Sequence, residues 1–239
     1  QQIVMGEVAE FVQGFRGSQA PPVGLVVRAR FNPNLEESWF GALMEIINNV
    51  TMLSIVLTGA ALIREREHGT IEHLLVMPVT PSEIMLAKVW SMGLVVLFAA
   101  TFALLFVVKG VLRVPIEGSV ALFLVGTSLH LFATNSMAIF MATLARSMPQ
   151  FGMLAVLILM PLQLLSGNAT PRESMPQFVQ DVMLLAPTTH FVAIGQAILF
   201  RGAGLGVVWP QFLALAVIGA AFFAVSLNRF RKTISQMTA

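Results

Sequence analysis

Five runs of this chain are each long enough and apolar enough to cross a lipid bilayer. Residues 46–63 are uncharged over 18 positions, Val89–Val108 over 20, Gly118–Ala145 over 28, Ser147–Thr170 over 24 and Gly202–Asn228 over 27. About 20 residues of helix span a hydrocarbon core roughly 30 Å thick. Inside that core every backbone N–H and C=O must be satisfied within the segment, which leaves helices for runs of this length. The sequence therefore predicts an all-α polytopic membrane protein with helices at about 40–63, 84–108, 118–145, 150–166 and 207–228. Composition agrees: 56% of residues are hydrophobic, 11% are charged and the mean hydropathy is +0.82. A soluble domain of this size with so little polar surface would expose large apolar patches.

Several function classes fall away at once. There is no cysteine, which removes disulfides, thiolate metal sites and cysteine nucleophiles. The net charge is only +2 and the basic residues are scattered, so no basic face for nucleic acid is expected. No Gly-x-x-x-x-Gly-Lys-Ser/Thr phosphate loop occurs. His68 and Glu72 stand at helical spacing, but a structural pair is favoured over zinc there, and no metal site is expected. No Ser-His-Asp set can be assembled on one side of the bilayer, so the chain is not read as an enzyme.

Lys and Arg in the short loops set the orientation. Arg64, Arg66, Lys88, Arg146, Arg229, Arg231 and Lys232 fall on one side, and Lys109, Arg113, Arg172 and Arg201 on the other. The first set is assigned to the cytoplasm. That places the C-terminus inside and residues 1–39 outside, in an inner (plasma) membrane. Residues 1–39 read as the end of a small external α/β domain: a short amphipathic helix, the Pro21-Pro22 break, a strand over Gly24–Phe31, and a turn at Phe31-Asn32-Pro33-Asn34. The segment 171–200 carries apolar residues in helical spacing broken by Pro176 and Pro187. It reads either as a re-entrant hairpin or as helices lying on the surface.

The densest charge in the chain sits between the first two apolar runs, in the loop 64–83. Arg64, Glu65, Arg66, Glu67 and His68 are followed by Gly69 and Thr70, then by Ile71, Leu74 and Leu75 on one face, with Glu72 and His73 turned away. Pro78 ends that short helix. Thr80-Pro81-Ser82-Glu83 matches a capping box that starts the next membrane helix. An amphipathic helix held between two ordered turns calls for a partner against its apolar face.

The run Glu65–Leu74, with Met77-Pro78-Val79-Thr80, Glu83 and Lys88, closely resembles the signature of ABC transporter permeases of the type-2 exporter class. Phe31-Asn32-Pro33-Asn34, Ser166-Gly167, Met175-Pro176 and Pro187-Thr188-Thr189-His190-Phe191 are further points of similarity, so the resemblance covers essentially the whole chain. It implies that this loop is the coupling helix, docking through Arg64–Leu75 on a separate ATPase subunit that binds ATP and Mg. It also implies a pore built from two permease halves, identical or different, embedded in lipid. Family members have six membrane helices with an external domain after the first, so this chain is expected to lack that first helix. The implied function is ATP-driven efflux of a lipophilic or amphipathic, drug-like or lipid-like molecule. Export of polysaccharide or lipid-linked glycan is the alternative, with a membrane-embedded enzyme or scaffold as a more distant one.

Glu45, Asn48, His130, Asn135 and Gln163 are the polar groups singled out within the apolar runs. Ionisable groups in a bilayer are functional candidates, while Asn, Gln, Ser and Thr also join helices by hydrogen bonds. His130 and Asn135 are left between these two roles. Glu45 is read as structural or gating.

Overall fold

The computed structural model describes residues 37–68, 79–168 and 172–237, all within one compact unit, Glu36–Ala239. The expected helix and strand before residue 37, and the loop positions Gly69, Thr70, Ile71, Glu72, Leu74 and Leu75, lie outside the described residues. Helix α1 runs Glu37–Glu67, α2 Pro81–Phe102, α3 Val120–Leu144 and α4 Met148–Leu165; α5 (Gln177–Met183) and α6 (Pro187–Gly195) are short, and α7 runs Leu205–Met237. There is no strand among the described residues. Among the described residues five helices are long and apolar enough to cross a membrane, over Gly41–Glu67, Pro81–Val111, Val120–Leu144, Met148–Leu165 and Leu205–Arg231.

Two boundaries differ from the sequence expectation, for one physical reason. The α2 helix passes through a π-helical stretch to Val111, and α7 runs on to Met237 rather than stopping near 228, while α1, expected to run on past Ile63 into water, ends at Glu67. Charges mark where lipid ends. They do not break the backbone ladder, and no Gly or Pro follows Gly219 to do so. Where the sequence holds a strong stop or start, the match is close. Thr80 Oγ1 accepts from Glu83 N at 3.4 Å and Glu83 Oε2 accepts from Thr80 N at 2.6 Å, with Pro81 opening the helix. The α5–α6 pair bends by 92° at Pro187, with α6 continuing as a π turn through Gln196–Phe200.

The central element is α3, which packs on α1, α2, α6 and α7. Two apolar clusters surround it. One joins Leu43, Ile47, Leu104, Phe123, Phe191 and Ile198; the other joins Ile55, Ile63, Met85, Met141, Phe151 and Leu159. Between them lies a wholly buried polar layer of Thr51, Ser54, Thr58, His130, Thr134 and Asn135. Below that layer α1 and α4 cross in contact: a Cβ at Gly59 would stand 2.0 Å from Phe151 Cζ. A small residue here lets the two helices approach closely, as is usual where lipid supplies no hydrophobic drive for association.

Candidate functional site at the charged end of the bundle

The last turn of α1 is a hub. Consecutive helical residues point about 100° apart, so Glu65, Arg66 and Glu67 sweep round the helix toward three neighbours. The Glu65 carboxylate pairs with Lys88 Nζ on α2. Arg66 donates to the carbonyls of Ala142 (3.2 Å) and Ala145, the orphan acceptors at the C-terminus of α3. Glu67 Oε1 accepts from the Met148 backbone N–H at 2.9 Å, at the first turn of α4. Each helix terminus therefore meets the charge that its dipole favours: a cation where α3 ends and an anion where α4 begins. Ser147, the N-cap of α4, forms no side-chain capping bond, so Glu67 provides that end with its acceptor. Between the two ties, Arg146 N–H donates to Gln150 Oε1 at 2.7 Å, which leaves the 145–147 turn fastened throughout.

Arg64 and His68 are exposed beside this hub. The Arg64 carbonyl accepts from the His68 backbone N–H at 3.0 Å and lies 2.7 Å from His68 Nδ1, which closes the end of α1. Chemically the hub is a set of ties, and no group of three His, Asp or Glu side chains suited to a metal occurs among the described residues.

The intramembrane polar residues sort into separate places. His130 Nε2 lies 2.9 Å from Thr51 Oγ1, and its ring stacks on Phe191 with centroids 4.1 Å apart. Ser54 Oγ lies 2.8 Å from Thr134 Oγ1. Asn135 Oδ1 accepts from Thr58 Oγ1 at 2.9 Å, and its Nδ2 donates to the Val89 carbonyl at 3.0 Å. Asn135 thereby ties α1, α2 and α3 together, and His130 ties α1 and α3 to α6. Glu45 is elsewhere, exposed near the start of α1, with Asn49 Nδ2 donating to its Oε1 at 2.8 Å. Asn48 on α1 and Gln163 on α4 are half-buried. Thr51, Ser54 and Thr58 went unread in the sequence, although their i, i+3, i+7 spacing along an apolar run was a visible signal of one polar stripe.

Replacing Asn135 with Leu removes two interhelical hydrogen bonds. The expected loss is about 1–2 kcal/mol, from about 1 kcal/mol for each such bond in a membrane, read as a lowered unfolding midpoint in detergent. An unchanged midpoint would show that the Thr58–Asn135–Val89 connection contributes nothing.

The sequence matches the ABC-2 type transporter family over residues 3–200. It is 65% identical over 237 residues to "Inner membrane transport permease YhhJ" of Escherichia coli (strain K12), covering 99% of this chain and 63% of that protein. Identity to "Probable multidrug ABC transporter permease YbhR" of the same organism is 31% over 211 residues, 88% of this chain and 57% of that one. To "ABC transporter G family member 20" of Dictyostelium discoideum it is 26% over 186 residues, 76% of this chain and 25% of that one. The chain thus spans less than two thirds of the length of each of these relatives. A family match across most of the residues, joined to five apolar helices and the tied Glu65-Arg66-Glu67 turn, identifies the chain as a member of the ABC-2 type transporter permease family.

Proposed function

We propose that this chain is the membrane-spanning part of a permease subunit in an ATP-driven exporter, with ATP and Mg bound by a separate ATPase subunit. The observation that carries this reading is the hub. A segment that only linked two helices would not need three consecutive side chains bonded to three different helices. With those ties, a push delivered to the segment after His68 displaces α2, α3 and α4 together with α1. The role of Glu65, Arg66 and Glu67 is then to pass motion on, while Arg64, His68 and the residues from Gly69 to Leu75 meet the ATPase. On this reading the hub end of the bundle and the C-terminus face the cytoplasm, residues 1–39 lie outside, and two permease halves enclose the path. The multidrug wording attached to YbhR supports a drug-like or lipid-like amphipathic cargo.

The test is co-expression of the protein with candidate ABC ATPase subunits from the same genome. One of them should co-purify with it, and inside-out vesicles should accumulate an amphipathic dye only with hydrolysable ATP. Absence of both co-purification and ATP-dependent accumulation would overturn the reading.

A further inference from the structure

On the side away from the hub, α1 and the continuous α2–π element diverge to leave a groove of about 430 Å³. That volume falls within the range of about 300–1,000 Å³ typical of sites for drug-sized molecules. Its walls include Leu53, Ala99, Val107 and Leu112, and the polar residues lining it are Glu45 and Asn49. Part of one wall is the π-helical stretch Ala103–Val111. Helical turns of this type are uncommon and concentrate at functional sites, because an extra residue re-aims the side chains of the following turn.

Glu45 gives the groove its chemical sign. Its Oε1 accepts from Asn49 Nδ2 at 2.8 Å, and the same amide nitrogen reaches the Glu45 carbonyl at 3.0 Å. These bonds hold the carboxylate in place without neutralising it. Lys109 and Arg113 follow on the opposite element, yet among the described residues neither forms an ion pair with Glu45. An acidic side chain in a membrane-spanning helix ordinarily faces a cavity or a countercharge. Here the cavity is present and the countercharge is not supplied by the described part of the bundle.

We propose that this groove binds an amphipathic organic cation, with its apolar body against the α1 and π-helical walls and its positive group at Glu45. The proposal rests on the exporter reading for its place in transport, since it names a cargo class and a site for it. The aliphatic lining suits a bulky apolar shell, and the single carboxylate at one wall discriminates by charge.

Tetraphenylphosphonium and tetraphenylborate test this directly, because they share shape and apolar surface and differ in the sign of charge. Binding of each to the purified full-length protein in detergent, without ATP or ATPase, is compared with binding to variants in the same micelles. The wild type is expected to prefer the phosphonium. Glu45→Gln is expected to weaken phosphonium binding up to about fivefold, the size of one partly exposed charge pair, and to leave the borate unchanged. Ala99→Trp, placed at the exposed rim of the groove, is expected to weaken both ions. Thermal unfolding shows whether each variant is folded. Phosphonium affinity that is insensitive to Glu45→Gln, or to Ala99→Trp, overturns the proposal; the second result is also expected if lipid or a segment outside the described residues fills the groove. Charge-selective binding in a protein that never transports would instead leave the site standing and remove the exporter reading.

Discussion

Glu67→Lys is expected to cut ATP-dependent transport more than tenfold while the protein still inserts and folds. The substitution removes the acceptor for the Met148 N–H and places an ammonium at the positive end of the α4 dipole, next in sequence to Arg66. Loss of an N-terminal cap costs about 1 kcal/mol, and reversing a charge at a helix end adds about 0.3–1 kcal/mol. Together these are well below the 5–15 kcal/mol that holds a typical domain folded. The effect on coupling is larger because the tie is the route proposed for motion from α1 to α4. Glu67→Gln keeps a side-chain oxygen that can accept from Met148, and is expected to retain most of the transport. Dye accumulation in inside-out vesicles, measured beside the basal ATPase rate, separates the outcomes. Normal transport by the Lys variant would show that the hub does not carry the motion, and a collapse in folding would be visible in the unfolding midpoint.

The distinction between Glu67 as a tie and Glu67 as a docking residue was not legible in the sequence. Charge density alone marked Arg64–Leu75 as a place where the membrane part meets something else. Whether a given carboxylate faces a partner or a neighbouring helix depends on which termini the fold brings beside it, here those of α3 and α4, about 80 residues further along the chain. Features governed by local chemistry could be read directly. The Thr80–Glu83 capping box and the five apolar helices follow from residues within a few positions of one another. The α7 extension to Met237 was missed because charge was taken as a helix stop, although it stops only the lipid contact. The polar layer was half visible: His130 and Asn135 stood out in the sequence, but their partners Thr51 and Thr58 are small hydroxyls whose role appears only when α1 and α3 are side by side. The groove at Glu45 depends on how far α1 and α2 diverge, and no pattern in a single segment encodes that.

Gly118→Ala is expected to be the most destabilising single-methyl addition in the described bundle. A Cβ at Gly118 would stand 2.1 Å from the Ile198 carbonyl oxygen and 2.9 Å from its carbon, so the clash is with backbone. Neither side can retreat. The Ile198 oxygen already accepts from Gly202 N–H at 3.1 Å, and the next carbonyl, Leu199, accepts from Glu117 N–H at 3.2 Å. The Glu117 bond is the direct link between the turn before α3 and the π turn after α6, and it exists because residue 118 has no side chain. Overpacking in an interior costs about 1–3 kcal/mol where side chains can shift. With backbone on both sides, a loss of about 3 kcal/mol is expected, the upper end of that range. Gly152→Ala on α4 is the matched control: its added Cβ would meet nothing within 4 Å, and replacing a helical Gly with Ala stabilises by about 0.5–1 kcal/mol. Unfolding midpoints in detergent should therefore move in opposite directions for the two variants. Because Ile198 and Phe191 of the hairpin share one apolar cluster with Leu43 and Ile47 of α1, the Gly118 variant should also loosen the α1 segment that carries Glu45. Equal midpoints for the two variants would mean that the bent α5–α6 segment is not fastened to the start of α3 in the way its backbone bonds indicate.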